Sequence, residues 1–124
     1  AGEDSFIMEY LGDGGGRALK LIEARGEIAD PRGVFARLLW NVELFLRCNI
    51  VHGDLSPYNV LYYRGRVVVI DFPQASDPRR NPNAQALLLR DIRNLCAFFS
   101  KCGVTADPDA LFSEMWTKYQ LNDL

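Results

Sequence analysis

In the stretch VHGDLSPYNVLYYRGRVVVIDF, residues 51–72, three side chains have the types and spacing to do chemistry: Asp54, Asn59 and Asp71. Asn59–Tyr63 and Val67–Asp71, joined by Arg64-Gly65, read as a tight β-hairpin. Asp54 and Asn59 lie on the loop entering it, and Asp71 lies where its second strand ends. The open ends of a hairpin lie side by side, so Asn59 and Asp71 can share one site although twelve residues separate them. A carboxylate and an amide oxygen are hard donors of the kind Mg²⁺ takes, and Mg²⁺ favours a partner that brings phosphate oxygens. Asp54 is a further carboxylate, offset from the metal, able to orient a hydroxyl or accept its proton. Taken singly, each residue has a plainer reading. An Asp in a turn is usually a cap, and an Asn is usually a loop residue. His52 alone reads as a hydrogen-bonded core histidine, and as the only His it forms no triad with an identifiable base and nucleophile.

The flanking segments must position that hairpin. Phe6–Tyr10 reads as a short buried strand and the DGGG at 13–16 as a hinge loop, since no phosphate-loop pattern accompanies it. Arg17–Arg25 reads as a short helix with Leu19, Ile22 and Ala24 inward. Asp30-Pro31 supplies a cap and a first-turn proline. Val34, Phe35, Leu38, Leu39, Val42, Phe45 and Leu46 follow at helical spacing, predicting a helix over Pro31–Cys48 with Asn49 as a left-handed stop. VVVI, residues 67–70, is apolar at consecutive positions, which predicts a strand covered on both faces. After a proline-broken loop, a second helix is expected over Asn83–Lys101, stopped by Gly103, with Leu87, Leu88, Ile92, Leu95, Cys96 and Phe99 inward. Asp107-Pro108 repeats the cap signal, and Leu111, Met115, Trp116 and Tyr119 mark a last short helix. The expected fold is α+β: one mainly helical domain with a small β-hairpin.

The totals set bounds. The chain has 124 residues, about one domain, and a net charge of −2, so no global basic field exists to hold nucleic acid. Arg79-Arg80 and the pair Arg90 and Arg93 leave room for a local basic patch. The cysteines, Cys48, Cys96 and Cys102, are odd in number, contain no CxxC and have one His beside them, so no zinc set is complete. They read as buried reduced thiols, which suits a cytoplasmic location. No apolar run approaches the ~20 residues of a membrane span.

The D-x4-N spacing, followed by an apolar strand and I-D-F, resembles the phosphoryl-transfer site of protein kinases. HGDLSPYNVL followed by IDFPQA resembles the RIO family of atypical protein kinases more closely. Ser56 stands where ordinary kinases commonly have Lys, Pro73 where they have Gly, and Gln74 completes the RIO pattern I-D-x-x-Q. NPNAQALLLRDIRNLCAFF, residues 81–99, resembles the RIO segment with its Arg-Asp pair, and FIMEYLG the hinge strand between kinase lobes. The resemblance covers about residues 6–100. It implies a kinase-like C-terminal lobe over 1–124, with Asp54 as catalytic base and Asn59 and Asp71 as ligands of Mg²⁺ or Mn²⁺. Backbone groups of Met8, Glu9 and Tyr10 would meet the adenine of ATP, and His52 and Ser56 would support the catalytic loop. Asp91 is expected to bond the loop backbone, and Arg93 matches the same helix. The implied activity is ATP-dependent phosphorylation of protein Ser/Thr, or ATP hydrolysis as a switch. In archaea and eukaryotes the family implies maturation of the small ribosomal subunit. No phosphate-covering loop or strand lysine precedes the hinge, so an N-terminal lobe is expected upstream of Ala1, and the lobe face it would cover is a surface for self-association. Two alternatives differ in kind. Small-molecule phosphotransferases of the aminoglycoside or choline kinase type carry H-x-D-x4-N, but Trp or Phe then Gly after the second Asp. A kinase-fold binding module would lack turnover, against which the intact Asp54, Asn59 and Asp71 argue.

Overall fold

Helix α1, Pro31–Arg47, begins where its cap predicts: the Asp30 carboxylate accepts the Gly33 N–H at 3.1 Å, and Pro31 opens the first turn. Val34, Phe35, Leu38, Val42 and Leu46 form its buried stripe. It ends at Asn49, whose φ of 62° turns the chain so that Ile50 N–H reaches the Phe45 carbonyl at 2.8 Å. The computed structural model describes residues 18–124; the strand expected at Phe6–Tyr10 and the hinge loop at 13–16 lie outside the described residues.

Strands β2, Val60–Tyr63, and β3, Arg66–Val69, form the predicted hairpin, pairing Val60 with Val69 and Tyr63 with Arg66. Arg64 and Gly65 both have positive φ, 49° and 80°, the two-residue turn whose twist matches antiparallel strands. The segment expected as a helix over Arg17–Arg25 is different. Its described part is a strand β1, Leu19–Lys20, then a turn running into a 3-10 turn at Arg25–Glu27. β1 pairs with β2, and Leu21 N–H and Ile22 N–H bond the carbonyls of Val60 and Pro57 at 2.8 and 3.0 Å. The edge of β2 offers those bonds in place of a helix's own. Leu21 and Ala24, not Leu19, are the fully buried residues.

Among the described residues, the VVVI run is not covered on both faces as expected. All four residues are half-buried, with Val67 and Val69 packed on the core and α1 against β3. A three-stranded sheet in the order β1-β2-β3 packs one face on the helices and leaves Val68 and Ile70 on the other.

Helix α2, Ala84–Ser100, buries Leu88, Ile92, Leu95, Cys96, Phe98 and Phe99, with Asp91 in the same stripe. Gly103, at φ 89°, lets Val104 N–H return to the Phe99 carbonyl at 2.9 Å. Helix α3, Pro108–Gln120, is capped by the Asp107 carboxylate, which accepts from Asp109 and Ala110. Met115 is its buried residue. The core lies between α1, α2, α3 and the inner sheet face, with Phe35 on Phe99 at 5.2 Å. All three cysteines are free, and Cys96 is buried as expected. Cys48 is exposed, because it caps α1 beyond the last inward residue, Leu46. Three of the four named arginines are engaged: Arg79 pairs with Asp77 at 2.8 Å, Arg93 with Asp109 at 2.9 Å, and Arg90 bonds a loop carbonyl. No helix among the described residues is long and apolar enough to cross a membrane.

Candidate active site

The loop before β2 is anchored on either side of one exposed carboxylate. Val51 forms an isolated antiparallel bridge with Ser76, its N–H and carbonyl both bonded at 2.9 Å. His52, Gly53 and Leu55 are buried, and Asp54 between them is exposed. Gly53 has φ 86°, and a Cβ there would lie 2.7 Å from the Gln74 carbonyl oxygen, so both conformation and space demand glycine.

Helix α2 holds this loop through Asp91, only 1 % exposed. Its two carboxylate oxygens accept the Gly53 and Leu55 N–H groups at 2.9 and 3.0 Å. Burial raises its pKa above the ordinary carboxylate value, while those two bonds pull the other way. Arg90 donates to the Gly53 carbonyl, and the Asn94 amide donates to the Leu55 carbonyl at 3.1 Å. Asp91 acts as expected. Arg90 and Asn94 were missed; the usable signal is a charged residue inside an apolar stripe, which demands polar partners and directs attention to its helical neighbours.

His52 takes the expected place of a buried, hydrogen-bonded histidine, 2 % exposed. Its Nδ1 accepts the Asp54 N–H at 3.1 Å and its Nε2 lies 2.9 Å from the Ile70 carbonyl. A carbonyl can only accept and an amide N–H only donate, so the ring is the neutral Nε2–H tautomer. The Phe72 ring covers it at 4.7 Å and meets Phe45 edge-on at 5.3 Å.

Asn59 joins both sides of the site. Its side-chain NH₂ donates to the Asp54 carbonyl and lies 3.4 Å from Asp54 Oδ2. Its main-chain carbonyl accepts the Ile70 N–H at 2.8 Å. Asp71 comes next, exposed and at φ 60°, where the chain leaves the strand direction for a turn closed by Ala75 N–H on the Phe72 carbonyl. Asp is among the residues that tolerate this left-handed region. Asp54, Asn59 and Asp71 thus sit at the open end of the hairpin. Ser56 lies one step back: its Oγ accepts the Tyr58 N–H at 3.2 Å and its carbonyl the Asn59 N–H at 3.0 Å, shaping the turn that delivers Asn59. Met8, Glu9 and Tyr10 lie outside the described residues.

The donor set fits a magnesium ion completed by a nucleotide. With its NH₂ committed to Asp54, Asn59 has its carbonyl oxygen left for a cation, and Asp71 adds an exposed carboxylate. Among the described residues no group of three or more His, Cys, Asp or Glu could hold a metal. Two protein donors beside phosphate oxygens is the arrangement Mg²⁺ commonly takes.

A family model described as RIO domain matches residues 2–111. The chain is similar to the RIO-type serine/threonine-protein kinase Rio1 of Haloferax volcanii, 39% identical over 106 residues that cover 86% of this chain and 36% of that protein. It is similar to the protein of the same name from Thermoplasma acidophilum, 35% identical over 105 residues, covering 85% of this chain and 53% of that protein. It is also similar to the serine/threonine-protein kinase RIO3 of Mus musculus, 35% identical over 100 residues, covering 80% and 19%. The chain therefore spans little more than half the length of these relatives at most. Among solved structures it matches the Rio2 kinase-ADP/Mg²⁺-phosphoaspartate complex from Chaetomium thermophilum with a TM-score of 0.60 and 22% identity, over 71% of this chain and 30% of that one. The fold is that of a kinase-like C-terminal lobe.

Proposed function

The chain belongs to the RIO domain family, and from that premise we propose that residues 1–124 form the C-terminal lobe of an ATP-dependent serine/threonine kinase, or of an ATPase that uses the same site as a switch. The observation that carries the reading is the double attachment of Asn59, through its side chain to Asp54 and through its main chain to Ile70. One residue thereby sets the spacing between a proton acceptor and a metal-holding carboxylate.

In this mechanism a substrate hydroxyl lies against the exposed Asp54 carboxylate. Its oxygen forms the new bond to the γ-phosphorus as the bond to the ADP oxygen breaks, and its proton passes to Asp54. Asn59 Oδ1 and the Asp71 carboxylate would hold Mg²⁺, which when bound offsets the charge of the phosphate oxygens. Backbone groups of Met8, Glu9 and Tyr10 would take the adenine. In the switch form water replaces the hydroxyl or a carboxylate accepts the phosphoryl group. The Chaetomium thermophilum neighbour, a complex with ADP/Mg²⁺ and phosphoaspartate, supports that form. Pre-ribosomal small-subunit particles are the partner class that the family resemblance suggests. Pro73-Gln74 after Asp71 speaks against a small-molecule phosphotransferase.

Calorimetric titration with Mg·ATP tests the metal pair in the gene product that contains this chain. Binding to the unaltered protein should be lost or strongly weakened in Asp71→Ala. Equal Mg·ATP affinity in both would overturn the assignment of Asp71.

A further inference from the structure

Asp54 is carried by two peptide planes, and each is gripped at both ends by a side chain. The plane after it has its carbonyl bonded by Asn59 and its N–H, on Leu55, bonded by Asp91. The plane before it has its N–H on His52 and its carbonyl, on Gly53, bonded by Arg90. The two planes differ in how much else restrains them. The earlier one follows a glycine at φ 86°, and glycine opposes rotation of its peptide far less than any other residue. Glycine cannot be replaced there, because the Gln74 carbonyl fills the space of a Cβ. The loop therefore keeps the residue with the fewest intrinsic restraints on its peptide directly before its exposed carboxylate.

We propose that Arg90 is the lock on that peptide: a positioning residue that holds the Gly53–Asp54 plane and so aims the Asp54 carboxylate at the attacking hydroxyl. The inference rests on the role proposed for Asp54. If the Gly53 carbonyl swung away, the Asp54 N–H would leave His52 with it, since the two groups share one plane. Arg90 is itself an exposed residue, so shortening it opens no cavity in the core. Its place beside Asp91 on one helix turn lets a single element bond both the N–H and the carbonyl of Gly53.

The test measures ADP release from Mg·ATP by the gene product containing this chain, as unaltered protein, Arg90→Met and Arg90→Lys, with thermal midpoints for each. Arg90→Met should lower kcat about 10- to 100-fold, the scale of a misaimed catalytic group, with KM for ATP and the midpoint little changed. Arg90→Lys, which keeps a donor on a long stem, should recover part of the loss. An unchanged kcat in Arg90→Met would overturn the proposal. So would a rise in KM matching the fall in kcat, together with a lowered midpoint, because that is the pattern of general loosening. Absence of ADP release from the unaltered protein, both with water alone and with an added serine- and threonine-bearing acceptor protein, would bring down the proposed function and this inference together. Normal release with an indifferent Arg90→Met removes only the inference.

Discussion

His52 lies between two backbones, with Nδ1 on the Asp54 N–H and Nε2 on the carbonyl of Ile70, 18 residues beyond the histidine. The ring thus ties the loop of one candidate carboxylate to the strand end that presents the other. His52→Leu removes both bonds and leaves a buried-side N–H and carbonyl without partners. The protein should lose about 1–3 kcal/mol of stability, read by chemical denaturation. A loss of a few tenths only would show that water replaces the ring without cost.

Asp54→Asn should separate chemistry from binding. It keeps the size of the side chain and removes its basicity. The transfer rate should fall about 10²- to 10⁴-fold while Mg·ATP affinity stays near that of the unaltered protein. Stopped-quench measurement of the transfer step alongside calorimetry reads the two effects separately. An unaltered transfer rate would show that another group accepts the proton.

Asp91 gives stability a pH dependence. Its carboxyl is raised above the ordinary value of 3.8, chiefly by burial, so the folded state holds that proton more tightly than the unfolded chain does. The resulting contribution is fully present below the unfolded value and is lost as pH rises through the raised folded value. Denaturation midpoints followed upward from pH 3.8 should carry this downward component, and Asp91→Asn should lack it. That variant should also be less stable throughout by about 1–3 kcal/mol, because its NH₂ faces one of the two loop N–H groups.

Gly53→Ala should be among the costly single-methyl additions. The new Cβ meets a main-chain oxygen at 2.7 Å and the residue must hold φ 86°. A loss of about 1–3 kcal/mol is expected, with ADP release reduced well beyond what the lost stability explains. Unchanged thermal midpoint and turnover would mean the loop has room that its geometry does not show.

The helices were legible because their ends announce themselves. Asp30-Pro31 and Asp107-Pro108 accept first-turn N–H groups where such pairs should, and Asn49 and Gly103 take the left-handed stops. The site was legible because a hairpin joins its open ends, so two carboxylates and an amide could be placed together without tertiary information. β1 was not, because two residues carry no periodicity and their pairing depends on an edge offered by β2. Cys48 failed the general tendency of thiols to be buried because a helix cap decided its place. Arg90 and Asn94 were invisible for another reason. Read along the helix they are polar positions like any other, and only the carbonyls of a loop some forty residues earlier give them a task.

The pairing of Val51 with Ser76 also bears on how the site comes apart. It draws a noose: the hairpin, both candidate carboxylates and Asn59 all lie on the ring it closes. The ring is also held to α2 by Asp91, Arg90 and Asn94, so fraying at the Arg64-Gly65 tip leaves neck and anchors intact, whereas losing the site needs both to open together. The site should therefore open as one cooperative unit. Amide hydrogen exchange at Val51, Asp54, Ile70 and Ser76 should share a single opening rate, set apart from that of the hairpin tip.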